Sequence, residues 1–288
     1  MQIIKRSLGT HDGTFHADEV TACALLLIYK LIDEDKVFRT RNVEELKSCE
    51  YVCDVGKIYD PKLKRFDHHQ GDYTGDLSSA GMILKYLLDK KIITEKIYTY
   101  LNDNFVHGVD LHDIGKIKLE RGVCTFSMVI ANFLPIDYEC LENEMNQSFF
   151  TAVHFTKGYI QKMLLRFDYI QKCKEAVQAA MEKGKSFLIF DKEIPWQEAF
   201  FELGGKTHPA KFLIMPSGPH WKLRAIPPTY ENRMATRQPL PQEWAGLYDE
   251  GLKKVTHIDG AVFCHKGRFI SIWETKEDAM KALNQILE

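Results

Sequence analysis

The chain lacks the features of a membrane or secreted protein. Its 288 residues contain no apolar run near the ~18 residues of a membrane-spanning helix. The N-terminal segment has no basic region followed by an apolar stretch, which a signal peptide needs. The 38 lysines and arginines face 40 aspartates and glutamates, so no global positive field marks a nucleic-acid binder. We therefore expect a cytoplasmic protein with no membrane partner.

The chain also lacks the cysteine pairs that form disulfides or bind structural zinc. The seven cysteines are odd in number and scattered, and no Cys-x-x-Cys pair occurs. This argues against a disulfide framework and against a cysteine-based structural zinc site. Cys49 and Cys53 are conceivable metal ligands, but a position in the core is the simpler interpretation.

The first half of the chain alternates strand-like and helix-like segments. A weak strand at residues 3–4 breaks at Gly9, and further strands are predicted at 37–40 and 51–55, with a hairpin around Asp60-Pro61. Helices are predicted at 17–32, 79–89, 94–106 and 125–134. This alternation predicts an α/β domain, in which a mainly parallel sheet is flanked by helices.

The second half of the chain has a different pattern of predicted elements, with long helices first and strands after them. Residues 141–183 contain no proline and one glycine, which predicts one or two long linker helices. Strands are then expected at 187–190, 212–215 and 221–226, followed by a hairpin over 261–273 and a helix from 276. We predict a metal-binding domain at 1–140, a helical linker at 141–184 and a smaller substrate-binding α/β domain at 185–288.

Histidines and aspartates collect in four clusters of the first half. They lie in residues 10–18, 53–56, 67–69 and 110–113, and three of the clusters lie near predicted strands. Because ligands gather at the carboxyl ends of parallel strands, these clusters suit one shared site. The Asp67-His68-His69 triplet is the densest of them.

Carboxylates and imidazoles together suit Mn²⁺, Fe²⁺ or Zn²⁺ better than Ca²⁺. With no thiolate in the set, we expect two Mn²⁺ ions, with Mg²⁺, Fe²⁺ or Zn²⁺ as alternatives. The candidate ligands are His11, His16, Asp18, Asp54, His68 and one of Asp113 and Asp110.

Two ions about 3.5–4 Å apart can lower the pKa of a shared water from about 15.7 toward 7. The predicted reaction is therefore hydrolysis of a phosphoester or phosphoanhydride. Asp54 is the expected bridging carboxylate, and His69 is expected to donate to the phosphate or to the leaving oxygen. Asp67 is expected to orient its neighbours rather than to bind metal.

Residues 112–116, His-Asp-Ile-Gly-Lys, allow another interpretation, because they are similar to the signature of the all-helical HD phosphohydrolases. Strand-like segments and a separate His-His pair precede them here. The α/β interpretation fits these surroundings better.

These motifs resemble the DHH phosphoesterase superfamily and, more closely, the Myg family of predicted metal-dependent hydrolases (UPF0160-type). The resemblance lies in residues 9–19, 65–70, 77–81 and 237–247 and spans nearly the whole chain. His16 stands where most relatives outside the Myg family have aspartate, and His11 precedes it by five residues rather than four. The first metal site is therefore expected to be rich in imidazole.

The resemblance also bears on the remaining residues. Asp113-Ile114-Gly115 matches the superfamily's fourth motif better than Asp110 does. Residues 270–273, Ile-Ser-Ile-Trp, stand where related nucleases carry a Gly-Gly-His segment. Substrate contacts are therefore predicted for other residues, with Arg237 as a bidentate phosphate clamp. The full candidate set is Arg237, His265, Arg268 and Ser79.

The resemblance implies a two-domain metal-dependent phosphoesterase with its site in the cleft between the domains. For the Myg family it implies a 3′–5′ exonuclease acting on single-stranded RNA or short oligonucleotides, with a homodimer as a candidate assembly. Two alternatives use the same metal centre. One is a small-molecule phosphatase or pyrophosphatase, and the other is a non-catalytic, metal-stabilised binding protein.

Overall fold

The computed structural model describes residues 2–137, 139–183 and 186–287. The chain divides into two compact units, Met1–Phe167 and Asp168–Glu288. One helix of 42 residues, Glu142–Lys183, has residues in both units. Residues 184 and 185, at the predicted start of the C-terminal domain, lie outside the described residues.

The first unit contains a five-stranded sheet in the order β2-β1-β3-β5-β4. Only β4 runs antiparallel to its neighbour, and the other pairings are parallel. The carboxyl ends of β1, β3 and β5 therefore lie side by side, and His11, Asp54 and Asp67 directly follow them. The strands are β1 (Ile4–Thr10), β2 (Val37–Arg39), β3 (Cys49–Cys53), β4 (Tyr59–Asp60) and β5 (Arg65–Phe66).

Seven α-helices begin within the described part of this unit. The helix predicted at 17–32 ends at Ile28, and Lys30 then takes a left-handed φ of 55°. The helix predicted at 94–106 is α-helical only to Leu101 and continues as a π-helical turn, Asn102–Val106, into α5. The helices are α1 (Ala17–Ile28), α2 (Val43–Ser48), α3 (Ser79–Asp89), α4 (Glu95–Leu101), α5 (His107–Asp113), α6 (Phe126–Ala131) and α7 (Glu142–Lys183).

Strand β1 continues through Gly9, where the sequence predicted a break. A Cβ atom at Gly9 would lie 2.8 Å from Leu46 Cδ2 and 3.2 Å from Cys49 Sγ. Glycine is needed here because α2 packs closely against β1. Helix α2 was not predicted, although the Asn42 side chain gives it an ordinary N-cap by accepting from two backbone N–H groups.

The second unit has its own sheet, in the order β6-β7-β8-β10-β9. β6 and β7 pair in parallel, and the other neighbours are antiparallel. Helices α8 and α9 were not predicted, whereas the strands and the last helix were. The elements are β6 (Phe187–Ile189), α8 (Trp196–Glu202), β7 (Phe212–Ser217), β8 (His220–Ala225), α9 (Asp249–Thr256), β9 (Ala261–Cys264), β10 (Ile270–Trp273) and α10 (Lys276–Leu287).

The predicted α/β class is confirmed, with a mainly parallel sheet in the first unit and a mixed sheet with helices packed against it in the second. Each sheet has helices packed against it; α10, for example, contacts β7 and β8. Among the described helices, none is both long enough and apolar enough to cross a membrane.

Candidate metal centre

The centre begins in the loop between β1 and α1. The Nδ1–H group of His11 donates to the Asp12 carbonyl at 2.9 Å, which directs Nε2 to the opposite side of the ring. There Nε2 lies 3.0 Å from Glu19 Oε1 and 3.2 Å from Asp54 Oδ2. A histidine whose Nδ1 is bound by a carbonyl is oriented to offer Nε2 to a metal.

The first turn of α1 supplies two buried carboxylates. Both oxygens of Glu19 accept from the His16 backbone N–H, at 2.9 and 3.0 Å, so Glu19 caps the helix while it also contacts His11. Asp18 is fully buried, and neither of its oxygens has a hydrogen-bond partner among the described residues. Unpaired buried carboxylate oxygens are costly unless a cation or a proton compensates for them.

Asp54 lies at the centre of the cluster. It directly follows β3 and has a left-handed φ of 57°, a conformation that Asp and Asn tolerate better than most residues. Its Oδ2 faces His11, while its Oδ1 lies 3.3 Å from His68 Nε2 and 3.3 Å from His69 Nδ1. One carboxylate therefore contacts residues from two motifs, as a bridging ligand must.

His68 joins the end of β5 to the end of α5. Its Nε2 atom lies 3.1 Å from Asp113 Oδ2, and its side chain is 10% exposed. Neither this contact nor the one to Asp54 has hydrogen-bond geometry, so within the described chain Nε2 has no hydrogen-bond partner. A shared cation between these atoms would satisfy all of them.

Asp67 holds its surroundings in place. Its Oδ1 atom accepts from the His69 backbone N–H at 3.1 Å and from His69 Nδ1–H at 2.8 Å. Its Oδ2 atom accepts from the Lys57 N–H at 2.5 Å. With both oxygens engaged and a side chain that is 1% exposed, Asp67 is suited to orienting His69, as the sequence predicted.

Asp110 has a structural environment. It is fully buried, and its Oδ1 atom accepts from the Ser78 N–H and Oγ–H groups and from the Gly81 N–H. Three hydrogen bonds to one oxygen fix α5 against the start of α3. The geometry therefore favours Asp113 over Asp110 as a ligand.

This packing makes Gly81 sensitive to substitution. A Cβ atom there would lie 2.1 Å from Asp110 Oδ2, so we expect Gly81→Ala to lower the free energy of unfolding by about 1–3 kcal/mol. Gly108→Ala is the matched control, because Gly108 is an exposed glycine of α5 with nothing within 4 Å of its Cβ position. That substitution should raise stability by roughly 0.5–1 kcal/mol. Urea unfolding measures both, and equal effects of the two changes would contradict this account of the Asp110 environment.

The donor set fits divalent cations. There are three groups of candidate ligand residues, and within each group the ligand atoms lie within 4.8 Å of one another. Asp54 belongs to the first and second groups, and His16 to the first and third. Unpaired buried atoms of Asp18, Asp54 and His68 point to a compensating positive charge. All the donors are nitrogen and oxygen atoms, which suits Mn²⁺, Fe²⁺ or Zn²⁺. The groups are His11, His16, Glu19 and Asp54; Asp54, His68 and His69; and His16, Asp18 and Asp113.

Without a bound metal, protons compensate the buried negative charges of this centre, and the pKa shifts indicate which groups hold them. Although burial lowers the pKa of His11, hydrogen bonds with Asp54 and Glu19 raise it to about 11. Burial raises the pKa of Glu19 to about 8 against the effect of its contact with His11. Burial also opposes ionisation of Asp54, but His11 and His68 hold the pKa of Asp54 below its ordinary value. Asp54 is therefore the carboxylate most firmly kept ionised.

Burial and neighbouring charges also shift the pKa values of His68 and Asp113, on the other side of Asp54. Burial lowers the pKa of His68, but Asp54 and Asp113 raise it to about 9. Burial and the nearby Asp18 raise the pKa of Asp113 to about 8. A cation bound here would replace protons on several of these groups.

Two cavities adjoin the cluster, and both are lined by His16, Asp54 and His69. The basic cavity, of about 450 Å³, is also lined by Arg41 and Lys57. The aromatic cavity, of about 340 Å³, is also lined by Phe15, Ala131 and Leu134, with His112 and Asp113 beside them.

Two of the predicted substrate-binding residues, Ser79 and Arg237, make hydrogen bonds within the protein. Ser79 is fully buried, and its hydroxyl donates to the Phe66 carbonyl. The Arg237 guanidinium donates to backbone carbonyls of Gly205, His208 and Ala210, among others, and so holds a loop together. These geometries do not support substrate contacts by Ser79 or Arg237, because their donors are already engaged within the protein.

His265 and Arg268 lie in the turn between β9 and β10. His265 Nδ1 accepts from the Gly267 N–H at 2.9 Å, and Arg268 has a left-handed φ of 54°. Both side chains are partly exposed. Their contact with substrate stays a prediction.

Two further residues support the centre and were not singled out from the sequence. Glu19 is absent from the predicted ligand set, yet it contacts His11. The buried Arg39 donates to the Gly13 carbonyl and to Asn146 Oδ1, which ties the His11–His16 loop to α7. The spacing of Glu19 three residues after His16 was the available signal, since it is the spacing of a capping box; no local pattern marks Arg39.

Comparison with known proteins agrees with the motifs. A MYG1 exonuclease family model, described as uncharacterised protein family UPF0160, matches residues 7–287. A MYG1 protein of Chlamydia muridarum is 48% identical over 285 residues, covering 99% of this chain and 98% of that protein. The human MYG1 exonuclease is 30% identical over 318 residues, covering 95% of this chain and 83% of that protein.

A solved pGpG-specific phosphodiesterase of Vibrio cholerae aligns with a TM-score of 0.33 and 12% identity, covering 98% of this chain and 97% of that one. A likeness this weak carries no argument about the site. The family assignment depends instead on the sequence matches, which span nearly the full length of the chain. The chain belongs to the MYG1 exonuclease family, UPF0160.

Proposed function

We propose that this protein is a 3′–5′ exonuclease that hydrolyses single-stranded RNA or short oligonucleotides at a centre holding two Mn²⁺ ions. Membership of the MYG1 exonuclease family makes it a hydrolase of the phosphodiesterase type. The resemblance of its motifs to the Myg family supports RNA as the substrate and the 3′–5′ direction. A cytoplasmic location and a homodimer stay predictions.

One observation carries the proposal. Asp54 belongs to two of the three groups of candidate ligand atoms, one with His11, His16 and Glu19 and the other with His68 and His69, so this carboxylate is common to two potential ion sites. Divalent ions held by these residues would supply an activated water and neutralise charge on a phosphate. The contacts of Asp54 with His11 on one side and His68 on the other support its role as the bridge.

His69 is proposed as the residue that acts on the leaving oxygen. Its ring lines both cavities and its side chain is 57% exposed, so it is accessible to a substrate. Asp67 accepts the Nδ1–H hydrogen bond and fixes the ring orientation. In hydrolysis, the water oxygen bonds to phosphorus and its proton passes to solvent, the bond from phosphorus to the leaving sugar oxygen breaks, and the Nε2–H group of His69 donates a proton to that oxygen.

The test uses the purified full chain, Mn²⁺ and a short single-stranded RNA labelled at its 5′ end. A 3′–5′ exonuclease produces a ladder of successively shorter labelled products, and chelation of the metal stops the reaction. Immediate release of a labelled mononucleotide would contradict the 3′–5′ direction.

A panel of pyrophosphate, a phosphomonoester, RNA and DNA oligonucleotides separates the alternatives. Cleavage of the small molecules alone would replace the proposal with a phosphatase. If nothing is cleaved with Mn²⁺, Mg²⁺, Fe²⁺ or Zn²⁺ while metal still raises thermal stability, the chain is a metal-stabilised binding protein instead.

A further inference from the structure

The basic cavity and the aromatic cavity both open onto the candidate metal centre. Their linings overlap only in His16, Asp54 and His69, all of which are in the candidate ligand groups. A phosphate bound at this junction has room for one substituent in each cavity. A phosphodiester has two organic substituents and a monoester has one, so the arrangement suits a diester. Both volumes, about 450 and 340 Å³, are in the range of small-molecule sites.

The cavities differ in charge. Arg41 and Lys57 line the basic cavity, whereas the described lining of the aromatic cavity includes no lysine or arginine. In an oligonucleotide, the nucleoside on one side of the scissile phosphate carries another phosphate, and the terminal nucleoside on the other side carries none. The distribution of cations therefore matches a chain end rather than a symmetrical diester.

Both cations are available to a ligand. In the described part of the chain, no carboxylate pairs with the Lys57 ammonium, and its side chain is exposed. Arg41 Nε lies 3.0 Å from Asp12 Oδ1, in a pair whose side chains are 64% and 46% exposed. The remaining guanidinium nitrogens of Arg41 can bind phosphate oxygens. Aliphatic side chains of Val43, Leu46 and Val55 line the same cavity and offer an apolar surface to a nucleoside.

The backbone fixes Lys57 relative to the metal centre. Asp54, Gly56 and Lys57 have φ values of 57°, 96° and 57°, so a short left-handed loop joins the bridging carboxylate to the lysine. The buried Asp67 accepts from the Lys57 N–H and holds this loop in its conformation. Strained conformations of this kind persist only where their surroundings over-determine them. The loop thus fixes the backbone position from which the Lys57 side chain can reach a phosphate of the bound strand.

We propose that the basic cavity binds the nucleotide on the polymer side of the scissile phosphate, and that Arg41 and Lys57 bind the next phosphate along the strand. The aromatic cavity takes the terminal nucleoside that is released. This inference rests on the proposed phosphodiesterase function and names its substrate class: oligonucleotides with at least two consecutive phosphodiesters.

The test compares a dinucleotide with one phosphate, NpN, and a trinucleotide with two, NpNpN, in the presence of Mn²⁺. For the wild-type chain, kcat/KM should be roughly tenfold or more higher for NpNpN, because only this substrate reaches both cations. In the Arg41→Ala/Lys57→Ala double variant this preference should fall to near one, mainly through KM for NpNpN. The slope of log kcat/KM against log salt should become shallower by about one for each contact removed.

Lys96→Ala is the matched control. Lys96 is an exposed lysine of α4 that lines neither cavity, so its removal changes the net charge of the chain without touching the proposed site. It should leave the preference for NpNpN unchanged. The conservative Lys57→Arg variant should retain most of the preference, since it keeps the positive charge.

The outcomes are distinguishable. If the wild-type chain cleaves neither substrate, the proposed function fails. If it cleaves both without preference, the inference about the second phosphate is overturned and the proposed function stands. The inference is also overturned if the double variant keeps the wild-type preference while circular dichroism shows that it is folded. If Lys96→Ala lowers the preference for NpNpN as much as the double variant does, the preference depends on the net charge of the chain rather than on Arg41 and Lys57, and the inference is overturned.

Discussion

Asp54→Asn is expected to lower kcat/KM for an RNA substrate by roughly 10³-fold or more, because it removes the charge that joins the two halves of the metal centre. Asparagine tolerates the left-handed φ of 57° at this position and matches the size of aspartate, so the loop should keep its conformation. The effect should appear mainly in kcat, since asparagine keeps the shape of both cavities that Asp54 lines and the proposed phosphate-binding residues Arg41 and Lys57 are untouched. Steady-state kinetics with a short labelled RNA provide the measurement.

Asp72→Asn is the control for this variant. Asp72 is exposed, lines neither cavity and has no described hydrogen bond, yet it lies close to the same triplet in sequence. Its substitution should leave kcat/KM within about twofold of the wild-type value, as surface changes away from a site usually have small effects. Near-wild-type activity of Asp54→Asn would contradict a bridging role for Asp54.

Mn²⁺ is expected to raise the thermal midpoint of the metal-free protein by roughly 10 °C at concentrations far above its dissociation constant. The gain should be larger at pH 8.5 than at pH 6. Burial raises the pKa of Glu19 from its ordinary 4.5 to about 8, and the pKa of Asp113 from its ordinary 3.8 also to about 8. Without metal, these protonated carboxyls favour the folded state at low pH, and that stability is lost as the pH rises through about 8.

Metal binding acts in the same direction, because the ligands must lose protons before they can bind a cation. Thermal unfolding of chelator-treated protein, with and without Mn²⁺, at several pH values measures both effects. Gly108→Ala serves as a stability reference, because Gly108 is exposed and nothing lies within 4 Å of its Cβ position. A midpoint that does not move with Mn²⁺ at any pH would contradict a metal centre, and a larger gain at pH 6 would contradict these protonation states.

The clustering of the candidate ligands could be predicted largely because these residues lie in short local motifs at the ends of strands. In β1, β3 and β5 the parallel order brings three such ends together, and His11, Asp54 and Asp67 follow from that topology. The separate roles of Asp67 and His68 were also accessible, because adjacent residues after a strand point in different directions. The sequence favoured Asp113 over Asp110 only by its match to a family motif; the physical ground for that choice is the packing of α5 against α3, which no local pattern shows.

Long-range hydrogen bonds explain the less successful predictions. Arg237 was interpreted as a phosphate clamp from its chemistry alone, but its donors meet carbonyls about 27 to 32 residues away in sequence. Ser79 is removed from solvent by its place at the start of a buried helix. Conversely, Arg41 and Lys57 carry no motif, and only the folding of two separate loops, one after β2 and one after β3, brings them into one cavity beside the candidate metal centre.

The most direct test of the two-ion centre is the metal content of the protein after dialysis against Mn²⁺ and removal of free metal. Elemental analysis of the wild-type chain should give two divalent ions per chain, and Asp54→Asn should retain one or none. Asp72→Asn should match the wild-type chain. A wild-type chain that binds no metal, or an Asp54→Asn variant that keeps two ions, would contradict a centre built around Asp54.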